Sequence, residues 1–158
     1  MGVRALTQHR ELLKDIRLRL RDNRLRPVYQ VDVDLRRVAN RTGRYDDMGT
    51  VSGRDNLAQA IMMRLLTPSG ELAPLGHPEY GSRLHELIGR ENTETNRNLA
   101  RLYILQSLQM EPRVAEVEEV LVEQDQEHRV LVNVQLRVRP TDGTGTVVIG
   151  PFALEFES

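Results

Sequence analysis

The residue pattern predicts an α+β fold: helices packed against a small antiparallel three-stranded C-terminal meander, preceded by an N-terminal helical extension. A change of period carries this. Apolar residues recur every three or four positions between Leu57 and Met110, whereas from Val114 onward they alternate with polar ones. Punctuation carries the rest, because proline and glycine clusters stand at the joints between the periodic segments.

In residues 4–22, Leu6, Leu13 and Leu20 fall one heptad apart with Ile16 between them, giving one apolar stripe on a helix. The other faces carry Arg4, Arg10, Lys14, Arg17, Arg19 and Arg21 against Glu11, Asp15 and Asp22, so the helix is basic and amphipathic. Pro27 ends it by removing a backbone donor and turning Arg26 away from helical geometry. Val31 and Val33, alternating with Asp32 and Asp34, predict a short strand or extended arm, and the turn-rich residues 40–53 read as a linker. The extension accordingly covers residues 1–48 and the main domain 49–158.

Ser52 is a good N-cap, with Asp55 three residues on, for a helix carrying Leu57, Ile61 and Leu65. Thr67-Pro68-Ser69-Gly70 stops that helix; Pro74, Gly76 and Pro78 keep the following segment extended. Ser82 then caps a short helix from Arg83 to Ile88, closed by Gly89. Thr93 and Asn96 open a long helix in which Leu99, Leu102, Tyr103, Ile104, Leu105, Leu108 and Met110 leave little polar face, the pattern of a buried spine ended by Pro112. Three strands follow: Val114 to Glu123 with a bulge at Glu118-Glu119, the alternating Val130 to Val138, and Thr146 to Phe156 after the Asp142-Gly143-Thr144-Gly145 turn.

At 158 residues the chain suits a single domain that buries about two-thirds of its unfolded surface. Without cysteine it has no disulfide framework, thiolate metal site or thiol nucleophile. A net charge of -1 predicts no nucleic-acid partner, and no apolar run approaches the roughly 18 residues of a membrane span, so no stable membrane insertion is expected. Nor is an apolar signal-peptide core present at the start of the sequence.

Catalytic patterns stop short. In His85-Glu86-Leu87-Ile88-Gly89 a glycine stands where a helical zinc site needs its second histidine. Asp32, Asp34, Asp46 and Asp47 lack calcium-loop spacing. The loop after Asp142 lacks the partners of phosphoryl chemistry, and Ser52, Ser69 and Ser82 occupy caps or turns without a nucleophile elbow. Glu71, Glu79, Glu86, Glu91 and Glu94 crowd one region, and two carboxylates suffice for glycoside hydrolysis. Yet there is no Trp, only Tyr80 lies nearby, and helix first turns and polar loops favour the charged form over the protonated acid such a reaction needs.

Glu111-Pro112-Arg113 differs in kind: a helix end followed by a rigid proline fixes the directions of two opposite charges. Arg64-Leu65-Leu66-Thr67-Pro68-Ser69-Gly70-Glu71, then Pro78-Glu79-Tyr80-Gly81-Ser82-Arg83-Leu84, then the long helix into this triplet and a meander, resembles the baseplate-wedge and sheath-initiator family of contractile phage tails, type VI secretion and related injection systems. The resemblance covers about residues 50–156. It implies a non-enzymatic α+β component, assembled in the cytoplasm into the baseplate of a tail or injection particle. Six copies per baseplate are implied, held by wedge proteins, with the inner tube or spike hub as further neighbours, and seeding the first ring of sheath protein. It implies no cofactor and no metal, and maps the family's Glu-Pro-Arg motif onto Glu111, Pro112 and Arg113 as a docking and folding anchor. Some members have carried a lysozyme label, so a peptidoglycan-degrading enzyme is one alternative and a free-standing adaptor of the same fold another.

Two further contact sets follow from the residues. The last strand, with Val148, Phe152, Leu154 and Phe156, is a candidate sheet edge on which sheath arms add by β-augmentation. The Leu13, Ile16 and Leu20 stripe is expected to pack on a neighbouring baseplate or tube component.

Overall fold

The computed structural model describes residues 53–157 throughout and, before them, the backbone of six short strands between Asp15 and Val51. These strands pair antiparallel two by two: β1 (Asp15–Ile16) with β6 (Thr50–Val51), β2 (Leu18–Leu20) with β3 (Val31–Val33), and β4 (Leu35–Asn40) with β5 (Gly43–Met48). Two expectations are corrected here. The described part of the proposed basic helix is extended, and the segment read as a linker contains β5, half of a hairpin. The alternative period was present in the residues, since Ile16, Leu18 and Leu20 alternate strictly with Arg17, Arg19 and Arg21. In the hairpin the register sets Arg36 opposite Asp47 and Arg37 opposite Asp46, opposite formal charges at paired positions. Leu6, Leu13 and Ser52 lie outside the described residues.

Helix α1 (Gly53–Leu66) buries Leu57, Ile61, Leu65 and Leu66. Helix α2 (Glu94–Gln109) starts as its sequence requires, the Thr93 hydroxyl accepting from the Asn96 N–H at 3.2 Å. It buries Ala100, Tyr103, Ile104, Ser107 and Leu108. The uniform apolar run overstated its burial, for Leu102 and Met110 are close to half exposed, at 46% and 48%. The short helix expected at 83–88 contracts to a single 3-10 turn, Leu84–Glu86, over which the buried Ser82 hydroxyl accepts from the Leu84 N–H.

The meander is as predicted: β7 (Val114–Gln124), β8 (Leu131–Pro140) and β9 (Val147–Glu155) pair antiparallel in that order. Helix α2 packs on β7 and α1 on β9, so the core lies between the helices and one face of the sheet. Val132, Val134, Leu136 and Val138 of the central strand are all fully buried there, each contributing about 1.5–3 kcal/mol of hydrophobic stabilisation. The bulge expected at Glu118 is present as a register shift between Val117 and Glu119.

The bulge in the β8–β9 ladder has larger consequences. Val134 pairs with Phe152 and Leu136 with Ile149, so Gly150 and Pro151 together oppose Gln135. This changes the parity of β9: Val147 and Ile149 face the core before it, and Phe152, Leu154 and Phe156 after it. Val148 alone of the four residues assigned to a docking edge is exposed, at 51%. Phe152, Leu154 and Phe156 are core side chains, which corrects their assignment to a partner surface.

The two turn motifs of the connector are pinned to one another. Ser69 N–H donates to Ser82 C=O and Ser82 N–H to Thr67 C=O, both at 2.8 Å, while the Ser82 hydroxyl donates to Leu65 C=O at 2.7 Å. The Ser107 hydroxyl of α2 donates to Gly81 C=O at 2.8 Å, so the connector is fastened to both helices. Gly81 has φ +108, and a Cβ there would meet Thr67 O at 2.5 Å. Gly81→Ala is therefore expected to cost about 2–4 kcal/mol, a loss read by chemical unfolding, whereas alanine at the open, neighbour-free Gly70 costs about 1 kcal/mol or less through its backbone strain alone.

The β7–β8 hairpin is held by Asp125, which accepts from Glu127 N–H, His128 N–H and the Asn133 side-chain amide at 2.8–2.9 Å. These bonds, the Asn133 one first, pull its pKa from 3.8 to about 2. Because the folded value is the lower one, the stabilisation is complete above the unfolded pKa and is lost as pH falls through the folded one. Unfolding midpoints of the wild type and Asp125→Asn should thus differ at neutral pH and converge as the pH is lowered from about 4 to about 2.

Candidate docking site

Glu111 follows the C-cap of α2, where its N–H donates to Leu108 C=O and its own carbonyl accepts from Val114 N–H. Its side chain is 5% exposed and turns inward. There Arg113 Nε donates to Oε1 at 2.8 Å, and Arg64 Nε of α1 stands 3.4 Å from Oε2. Arg64 is itself buried, its guanidinium lying over the Tyr80 ring at 4.5 Å, and its Nε makes no hydrogen bond. One carboxylate thus ties the end of α1, the connector, the end of α2 and the start of β7. Burial pushes the Tyr80 hydroxyl above its ordinary pKa, against the pull of Arg64.

The triplet divides its work. Glu111 is an internal tie, Pro112 is exposed, and Arg113 is partly exposed at 33%. Arg113 also borders a largely apolar groove of about 130 Å³ with Arg54, Leu57, Pro140 and Asp142. On the other side, Arg64, His77, Pro78, Glu79, Tyr80 and Met110 line a cleft of about 230 Å³. A partner meeting the triplet therefore touches Pro112 and Arg113, not the Glu111 carboxylate.

The crowded glutamates do not form an acid/base pair of the hydrolytic kind. Glu86 is clamped by Arg83 at 2.8 and 2.9 Å, which lowers its pKa, and Glu71, Glu79, Glu91 and Glu94 are exposed. Each carboxylate with a resolved shift, Glu86, Glu118, Asp125 and Asp142, moves toward the charged form.

The edge of β9 is guarded. Pro151 has no N–H to offer another strand. Toward its end Gly89 N–H donates to Glu155 C=O, Glu157 N–H to Arg90 C=O and Asn92 N–H to Glu157 C=O. Before its start Arg54 donates to the carbonyls of Thr144 and Thr146. The edge left between these guards is Val147–Ile149 before Pro151 and Phe152–Leu154 after it. Of the N-terminal contact set, Leu13 and the side chains of Ile16 and Leu20 lie outside the described residues.

Sequence reasoning found the triplet but missed Arg64 and Tyr80 as its partners. The signal lay in the connector: a helix-end arginine and an aromatic residue flanked by turns. Removing the tie gives a graded outcome. Glu111→Ala leaves Arg64 buried without a counter-charge and is expected to cost about 3–5 kcal/mol, while Arg113→Ala, at a partly exposed position, costs about 1 kcal/mol. Equal losses in urea denaturation would contradict the tie.

A solved structure from Geobacter sulfurreducens, described as a candidate tail lysozyme, shares the fold: TM-score 0.55 and 19% identity, covering 71% of this chain and 98% of that one. No curated protein matches the chain. The model of the family described as baseplate wedge protein gp25 matches residues 51–142, from the start of α1 through the connector, the Glu111 tie and two strands of the meander. With more than half of its length matched, the chain belongs to the baseplate wedge protein gp25 family, a component family of phage tail baseplates.

Proposed function

We propose that the chain joins wedge proteins to the first sheath ring of a contractile tail or injection particle, six copies per baseplate, and seeds sheath assembly without enzymatic activity. The observation that carries this reading is the Glu111 tie. It makes a rigid connector of four elements and leaves Pro112 and Arg113 outside as contact groups, in a domain whose family is a baseplate one. Strand addition by sheath arms uses the stretch Val147–Ile149, with exposed Val148 as its side-chain contact. The lysozyme description of the Geobacter neighbour supports a rival reading, which the Arg83 clamp on Glu86 and the exposure of the neighbouring glutamates oppose.

Two variants test the two surfaces in purified baseplates. Val148→Asp puts a charge on the edge strand and is expected to leave incorporation normal while abolishing sheath polymerisation; Arg113→Ala is expected to reduce incorporation itself. Sheath growth on Val148→Asp baseplates would remove strand addition at β9, and clearing of a peptidoglycan suspension by the purified chain would favour the hydrolase.

A further inference from the structure

Arg64 and Arg83 each lie over a tyrosine ring at the same 4.5 Å, and only one of them is answered. Arg83 stacks on Tyr103 and gives two hydrogen bonds to Glu86, at 2.8 and 2.9 Å. Arg64 stacks on Tyr80, yet among the described residues none of its guanidinium N–H groups makes a hydrogen bond. Its ion-pair partner, Glu111, stands 3.4 Å from Nε at Oε2, and that carboxylate is shared, since Oε1 accepts from Arg113 at 2.8 Å. Two guanidiniums thus face one carboxylate, and the tie keeps a net positive charge.

The side chain of Arg64 is only 8% exposed, and its Nε is closed off from solvent while its Nη groups are not. They open on the cleft that Arg64 lines beside Tyr80. That cleft holds about 230 Å³, below the roughly 300–1,000 Å³ of small-molecule sites and suited to one inserted side chain. Its border is apolar at Pro78 and at the exposed Met110. Glu79 lines it too, but is exposed and makes no ion pair with Arg64 among the described residues. A planar guanidinium set in place by a ring, with its Nη donors unfilled, fits a carboxylate, and the apolar border fits an aliphatic side chain next to it.

We infer that this cleft is a docking pocket for an aspartate or glutamate side chain of a partner protein, which Arg64 receives through its Nη groups while an apolar neighbour of that residue covers Pro78 and Met110. The partner's carboxylate completes the Arg64 stack as Glu86 completes that of Arg83, and it restores charge balance to the tie. The pocket lies apart from the outward contact made by Pro112 and Arg113, which do not line it.

Titration of the purified full chain with the capped peptide acetyl-Leu-Glu-Leu-amide, followed by NMR, tests this independently of the baseplate reading. The Arg64 Nε–H signal, identified by its loss in Arg64→Lys, and the Met110 methyl signal should both shift saturably at millimolar peptide. The matching peptide with glutamine in place of glutamate is expected to bind roughly tenfold or more weakly, because it offers no charged acceptor. Arg64→Lys keeps a charge against Glu111 but loses the planar fork, and should weaken the glutamate peptide about tenfold by the Met110 signal. Glu79→Gln removes the chain's own carboxylate from the cleft and should bind that peptide at least as tightly. Equal binding of the two peptides, undiminished binding by Arg64→Lys, weaker binding by Glu79→Gln, inorganic phosphate binding as tightly as the glutamate peptide, or no saturable shift would each overturn the inference.

Discussion

The fold turns on a buried carboxylate that must not be left alone. Glu111 sits almost out of water, where an unpaired charge costs several kcal/mol, and two arginines from elements far apart in sequence answer it. Arg64 comes from the last turn of α1 and Arg113 from the residue before β7, so the geometry of their ion pairs fixes how the helices meet the sheet. Tyr80 completes the arrangement by lying under the Arg64 guanidinium, which brings the connector against the same point. A hydrophobic cluster of the same volume would tolerate sliding between these elements; a buried charge held by a hydrogen bond from Arg113 and the close counter-charge of Arg64 does not.

Around that point the connector and the sheet edges show opposite uses of backbone hydrogen bonds. In the connector, Thr67, Ser69, Ser82 and Gly81 exchange bonds with each other and with Ser107, which leaves a loop as firmly held as a strand pair. Along β9 the same kind of bond closes an edge, with Gly89, Arg90 and Asn92 at one end and Arg54 at the other. A sheet edge guarded in this way resists indiscriminate pairing, and a short open stretch limits who can add to it.

What could be read from the residues depended on how local the physics was. The Thr93 cap, the stop at Pro112, the bulge near Glu118 and the alternation of β8 are set within a few residues, and all four were legible. The Arg64 to Glu111 pair spans two helices and left no local mark beyond a charged residue at each helix end. Burial in α2 was legible in kind but not in side, because a helix apolar on most faces does not say that Leu102 and Met110 point outward. Val148, Phe152, Leu154 and Phe156 share one parity in sequence, and only the extra residue at Gly150-Pro151 separates the first from the other three. The N-terminal segment satisfied two periods at once: a heptad of leucines and a strict alternation around Arg17 and Arg19. The described residues follow the second, since strand partners were available at Val31 to Val33 and Thr50 to Val51.

That ambiguity bears on how the two halves of the chain differ. The core is built from contacts that lose their value if displaced by an ångström: a buried ion pair, a glycine with no room for a Cβ, and hydroxyls aimed at single carbonyls. The strands before Val51 pair in short ladders of two or three residues except for β4 and β5, and carry excess positive charge, an interaction that acts over several ångströms and tolerates changes of register. Positional accuracy and long reach are therefore segregated along the sequence. A part that must hold neighbours at fixed angles draws on the first.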